Sequence, residues 1–104
     1  MKRYLIRPAA ERDLKDIGRY SRRTWGRAQA DKYLRALHEK MQNLAGNPKL
    51  GVARDDIAEG YRSAHVGHHH VFYRAGDDTI MVVRVLHESM DVQRHFDIEK
   101  SPES

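Results

Sequence analysis

No cysteine occurs in this chain, which excludes a disulfide framework and a thiolate metal site and makes the cytoplasm the expected location. No apolar run approaches the ~20 residues that cross a bilayer. The opening M-K-R-Y-L-I-R-P lacks the apolar core of a secretory signal, so no membrane association is expected. Proline and glycine are sparse, three and seven in 104 residues, and they form neither a linker nor a low-complexity tract. Repeats are absent too. A chain of this length supports one domain, 1–104, with one core, and its tail 97–104, ending S-P-E-S, is expected to fray. There is also no P-loop, no dinucleotide fingerprint and no serine-nucleophile context.

What the chain has is charge, unevenly placed. A third of its residues are charged and 39% are hydrophobic, the composition of a folded soluble domain. Residues 1–40 carry twelve Lys/Arg against five Asp/Glu, a balance of +7, whereas residues 41–104 carry seven against ten, a balance of −3. The basic excess thus belongs to the first part, where it suits nucleic acid, an acidic protein, or plain solvation.

The most apolar stretch is 80–86, I-M-V-V-R-V-L, six apolar residues in seven without Gly or Pro. Such a run predicts a strand covered on both faces, hence a central one. Arg84 interrupts it. An unpaired buried charge costs several kcal/mol, so Arg84 must meet a carboxylate or end in a cleft. The acidic residues Asp55, Asp56 and Glu59 are candidate partners for Arg84 or Arg62.

Ahead of that strand, 2–6 reads as a short strand and Pro8 suits the first position of a helix. Over 9–24, Ala10, Leu14, Ile17 and Ser21 fall on one helical stripe, with Arg12, Lys15, Arg19 and Arg22 opposite. Trp25-Gly26 marks a corner, where a lone Trp is more often a packing wedge than a recognition residue. A second helix over 27–45 has Ala30, Leu34, Leu37, Met41 and Leu44 at 4-3-4-3 spacing with Tyr33 alongside, and Gly46-Asn47-Pro48 stops it. The two helices predict an antiparallel hairpin. The connection 49–60 reads as a loop, 61–66 and 69–74 as strands turning at Gly67, and 91–100 as a short helix. The fold class is therefore α+β: an N-terminal strand, a helical hairpin and a three-stranded β-meander, in the order β-α-α-β-β-β.

Two constellations carry possible chemistry. His65, His68, His69 and His70 lie close in sequence, with His68 and His70 on one strand face, but no acidic residue stands among them and no metal is expected. Arg62, Arg84 and His87, with Glu59, offer cations and an acid–base group for phosphodiester cleavage if neighbouring strands bring them together. The alternative is structural, each arginine paired with a carboxylate.

Several strings now point one way: P-A-A-E-R-D-L-K-D-I-G-R-Y at 8–20, W-G-R-A-Q-A-D-K-Y at 25–33, N-P-K-L-G at 47–51, G-Y-R-S at 60–63, H-H-V-F-Y-R at 69–74 and V-L-H-E-S-M-D at 85–91. In this order the chain resembles the ParE branch of the RelE/ParE toxin superfamily, from residue 4 to about 96. The resemblance implies a helical hairpin packed on an antiparallel sheet and a growth-inhibiting toxin, held inactive in a hetero-oligomeric complex by a ParD-like ribbon-helix-helix antitoxin. Members of the ParE branch typically poison DNA gyrase and block replication. Those of the RelE branch cleave messenger RNA on the ribosome, and here Arg62, Arg84 and His87 would fill the catalytic roles. The lysines expected in the loop before the chain's second strand, 61–66, are missing, since D-D-I-A-E-G is acidic there, which favours the gyrase reading, with no catalysis and no cofactor. The expected antitoxin- or target-binding surface combines the basic hairpin face with the segment after the central strand. Its residues are Arg12, Arg19, Arg22, Trp25, Arg62, Tyr73, Arg84, His87, Met90 and Arg94.

Overall fold

The computed structural model describes residues 3–92 and 94–96. Its strand β1 (Arg3–Ile6) is followed by helices α1 (Pro8–Trp25) and α2 (Arg27–Gly46). A two-residue strand β2 (Val52–Ala53) precedes the meander β3 (Tyr61–Val66), β4 (His69–Ala75) and β5 (Thr79–His87). Pro8 opens α1 at a position where its missing N–H costs no bond, and Gly26, at φ +91°, breaks the helical path in the left-handed region before α2 begins.

The sheet order is β1-β5-β4-β3-β2. β5 therefore has a neighbour on each side, parallel β1 and antiparallel β4, as its apolar run requires. The helical hairpin carries the chain from β1 across to β2 at the opposite edge, and the meander brings β5 back beside β1 and parallel to it. The 49–60 connection is more ordered than a loop: a 3-10 turn at Pro48–Leu50 leads into β2, which pairs Val52 with Ser63 and Ala53 with Arg62. Two paired residues are too few to leave an alternation in the sequence.

Both sheet faces are covered. Under the helices Ala10, Leu14, Leu37, Met41, Tyr73 and Val82 form the main core, while Ile57, Phe72, Val83, Leu86 and Phe96 fill the opposite side. A bulge interrupts the β4–β5 pairing: Phe72 opposes Arg84 while Tyr73 opposes Val82, leaving Val83 as the extra residue. Val82 and Val85, three positions apart, consequently both pack beneath the helices. Beyond β5, Val92 and Arg94, His95 and Phe96 are helical; the rest of the expected helix and the tail 97–104 lie outside the described residues, as does Lys2.

Candidate functional site

The anomalous arginine of the central strand has a partner the sequence did not point to. Asp13, on the edge of the α1 stripe between Ala10 and Ile17, accepts bonds from Arg84 Nε at 2.8 Å and Nη2 at 2.9 Å, and from the Val85 N–H at 3.0 Å. Both side chains are largely buried, at 16% and 13% exposure. The loop acids expected to serve are engaged elsewhere. Asp56 takes two bonds from Arg54 (3.1 and 3.0 Å), and Asp55 accepts the Gly60 N–H at 3.0 Å. The available signal for Asp13 was its helical spacing, three after one buried residue and four before another.

Arg62 is likewise structural. Its Nη2 donates to the carbonyls of Gly51 (2.7 Å) and Lys49 (3.4 Å), tying β3 to the chain leading into β2, while its Nε is buried without a hydrogen-bond partner among the described residues. β4 lies between Arg62 and Arg84, so their backbones stand about 9–10 Å apart. Arg62 opposes Tyr73 and His87 opposes His69, four residues further along β4, or about 13 Å. The Arg62–Arg84–His87 phosphate site expected from neighbouring strands is therefore not assembled. Tyr73 must also be corrected. It is fully buried, its O–H donates to the Pro48 carbonyl, and its oxygen accepts the Gly51 N–H at 3.0 Å. A side chain enclosed in the core, anchoring the turn before β2, has no surface to offer a partner.

Other expected residues do come together. Between the C-terminal half of α1 and the end of β5 runs a groove of about 360 Å³, with Tyr20, Trp25, His69, His87 and Met90 among its walls. Trp25 is not a buried wedge: it is 49% exposed, edge-on to Tyr20 at 6.0 Å and tilted to Tyr33 at 6.4 Å. Met90 is exposed beside it. His87 is held by Ser89, through Oγ at 2.8 Å and the backbone N–H at 3.1 Å. Sequence reasoning missed Tyr20, which lies on the flank of α1 between its basic and apolar stripes.

His68, His69 and His87 form the histidine rim of this groove. Tyr33 fixes the turn: its hydroxyl lies 2.6 Å from His69 Nδ1 and 3.2 Å from the Val66 carbonyl, and accepts the His68 N–H at 3.0 Å. Burial, then the neighbouring His87 and His68, lowers the His69 pKa to about 4, keeping that ring neutral, and burial raises the Tyr33 pKa. His68 sits in the turn, not on a strand, so it does not share a strand face with His70, which instead packs on His65 at 4.8 Å between ring centres. Contrary to expectation, an acid does stand among them. Glu88 reaches His65 at 3.1 Å and His68 at 3.0 Å, bonds that hold its carboxyl below the ordinary range. No group of three or more ligating side chains among the described residues is arranged to hold a metal ion.

On the outer side of α1, Arg12, Lys15, Arg19 and Arg22 are exposed, Arg19 paired with Asp16 at 2.6 Å. Arg94 is exposed beyond β5, and its backbone N–H meets Asp91 at 3.3 Å. No helix among the described residues is long and apolar enough to cross a membrane.

Comparison with known proteins agrees with this architecture. Residues 4–92 match the family model described as the ParE toxin of the type II toxin–antitoxin system parDE. The chain is 47% identical to Toxin ParE1 of Mycobacterium tuberculosis over 95 residues, covering 90% of this chain and 97% of that protein. It is 39% identical to Toxin ParE1 of Caulobacter vibrioides, covering 92% and 99% respectively. Among solved structures, the chromosomal ParDE system of P. aeruginosa superposes with a TM-score of 0.70 at 19% identity, covering 84% of this chain and 96% of that one. The YoeB/ParE toxin of Agrobacterium tumefaciens does so at 0.57, with 19% identity and coverages of 84% and 98%. At such identities these two likenesses speak for the fold, whereas the sequence relatives carry the lineage: this chain belongs to the ParE toxin family of type II toxin–antitoxin systems.

Proposed function

We propose that this toxin acts by binding rather than by catalysis: a ParD-like ribbon-helix-helix antitoxin neutralises it in a hetero-oligomeric complex in the cytoplasm, and its target is DNA gyrase. The observation that carries the non-catalytic reading is the engagement of Arg84 by Asp13. Ribonuclease chemistry needs cations and a proton-transfer group converging on one phosphate. Here one arginine is bound to a carboxylate, the other holds backbone carbonyls two strands away, and His87 faces a different groove. A gyrase inhibitor needs only a complementary surface.

The groove at Tyr20, Trp25, His87 and Met90 has the features of an anchor site: aromatic and Met side chains half open to solvent, rimmed by polar groups. A segment of the antitoxin seated there would gain its lifetime from apolar contact. The basic face, with Arg12, Arg19 and Arg22, and Arg94 beyond β5, would speed the encounter.

Two measurements test this. Trp25→Ala should weaken the purified antitoxin complex by about 2 kcal/mol, or about 30-fold, mainly through faster dissociation; an unchanged dissociation rate would place the antitoxin elsewhere. Expression without antitoxin should halt replication and cause filamentation while messenger RNA stays intact, and the purified toxin should inhibit gyrase supercoiling. Codon-specific cuts in translated messages, lost in His87→Ala, would make the protein a ribonuclease instead.

A further inference from the structure

The outer face of α1 is a surface of a different kind from the groove. At 100° per residue, Tyr20 and Asp16 lie on one flank of the helix, and Lys15 and Arg22 on the other, beside α2. There a second cleft, also about 360 Å³, is lined by Lys15, Gly18, Arg19, Arg22 and Leu34. Gly18 keeps it open: a Cβ added there would stand 3.2 Å from Leu34 Cδ1 and 3.5 Å from Arg22 Nη1. Arg19 shares its charge with Asp16, whereas Lys15 and Arg22 form no ion pair among the described residues.

We propose that this face binds the phosphate backbone of duplex DNA, with Lys15 and Arg22 flanking a phosphate in the α1–α2 cleft and Arg12 and Arg19 extending the row. Arg12 to Arg22 spans about 15 Å of helix, along which one strand of a duplex presents about four phosphates, one every 3.4 Å of axis; with one shared by Lys15 and Arg22 and one each for Arg12 and Arg19, the row makes about three contacts. A protein segment is the weaker fit. None of the large exposed hydrophobic side chains (Leu5, Tyr20, Trp25, Leu50, Val52, Met90) belongs to this row, so a peptide would find charge but no anchor. A polyanion needs none, because released counterions supply the affinity. The inference goes beyond the target reading and does not depend on it. It places DNA on the side of α1 away from the aromatic groove, where a bound antitoxin or enzyme would leave it accessible.

The test is fluorescence anisotropy of a random 20-base-pair duplex with the purified full-length toxin, between 50 and 200 mM salt. Three phosphate contacts give a log–log salt slope of about −2.7, so affinity should fall by about 40-fold across that range. Lys15→Gln/Arg22→Gln removes the one phosphate they flank and should reduce the slope to about −1.8, a fall of about 12-fold. Arg3→Gln/Arg74→Gln removes the same charge elsewhere and should leave the slope near that of the parent; circular dichroism verifies that each variant folds. Absence of binding at 50 mM salt, or equal losses in both double variants, would overturn the proposal. So would preferential binding of an acidic peptide over the duplex, which would assign the face to a protein.

Discussion

Removing the carboxylate of Asp13 should be among the most damaging single changes in this domain. Asp13 receives two bonds from Arg84 and one from the Val85 N–H, and neither charged side chain is more than one-sixth exposed. Asp13→Ala leaves a guanidinium without this counter-charge beneath α1. Breaking a buried pair in this way costs about 3–5 kcal/mol, against 0–1 kcal/mol for an exposed pair. With an unfolding entropy near 2 cal/mol/K per residue, a loss of 3 kcal/mol lowers Tm by about 15 °C in a domain of this size. Arg84→Met should cost less than Asp13→Ala, since the aliphatic stem keeps its packing and Asp13 keeps the Val85 N–H. Asp13→Leu/Arg84→Met should recover much of the loss, because an apolar replacement of the pair removes the desolvation problem. Urea and thermal melts of the four proteins decide it. A loss under about 1 kcal/mol in Asp13→Ala, or a double variant as unstable as the sum of the singles, would refute the buried-pair argument. If Arg84→Ala leaves Tm unchanged and abolishes toxicity, Arg84 is a functional residue instead.

Tyr73→Phe should lower the urea midpoint by the equivalent of about 1–3 kcal/mol, because the Pro48 carbonyl and the Gly51 N–H lose their common partner; an unchanged midpoint would show that water replaces the hydroxyl. The pH dependence is set in part by His69. Its folded pKa near 4 lies below the unfolded value near 6.5, so between those values the unfolded chain binds more protons and stability falls as pH is lowered, levelling off below about 4. Urea midpoints at pH 7, 5.5 and 4.5 should show that slope reduced in His69→Gln, and an identical slope in both proteins would refute the assignment.

The elements were legible because their periods were long and clean. The stripes of α1 and α2 repeat over about three to four turns, and the 80–86 run admits few readings besides a covered strand. β2 was not legible, since it pairs over two residues. The site was harder for a related reason. A strand alternation assigns faces only until a bulge intervenes, and the extra Val83 in β5 alters which residues reach the helices. Charge anomalies carried half the information. Arg84 advertised a need for a carboxylate, but the sequence cannot rank acids 71 positions away against loop acids nearer in the chain. Tyr73 failed as a surface residue because it looks polar and recognition-competent in a string, whereas its hydroxyl closes the turn at Pro48–Leu50 from inside the core, and half-buried Arg62 is tied to the same turn.

These particulars converge on α1. One side of the helix builds the core through Ala10, Leu14, Ile17 and Ser21. One flank supplies Asp13 to the central strand and Tyr20 to the aromatic groove, and the outer side carries the cations. Eighteen residues thus serve packing, a buried ion pair and two chemically different surfaces. The residues of the two surfaces are separable because they project at different angles from the same axis. Substitutions at Trp25 and at Lys15 or Arg22 can therefore be made without touching the core stripe, so a shortened lifetime of the antitoxin complex and a loss of polyanion binding can be read independently. Asp13 cannot be used in this way: it ties α1 to β5, and its loss would shift both surfaces together.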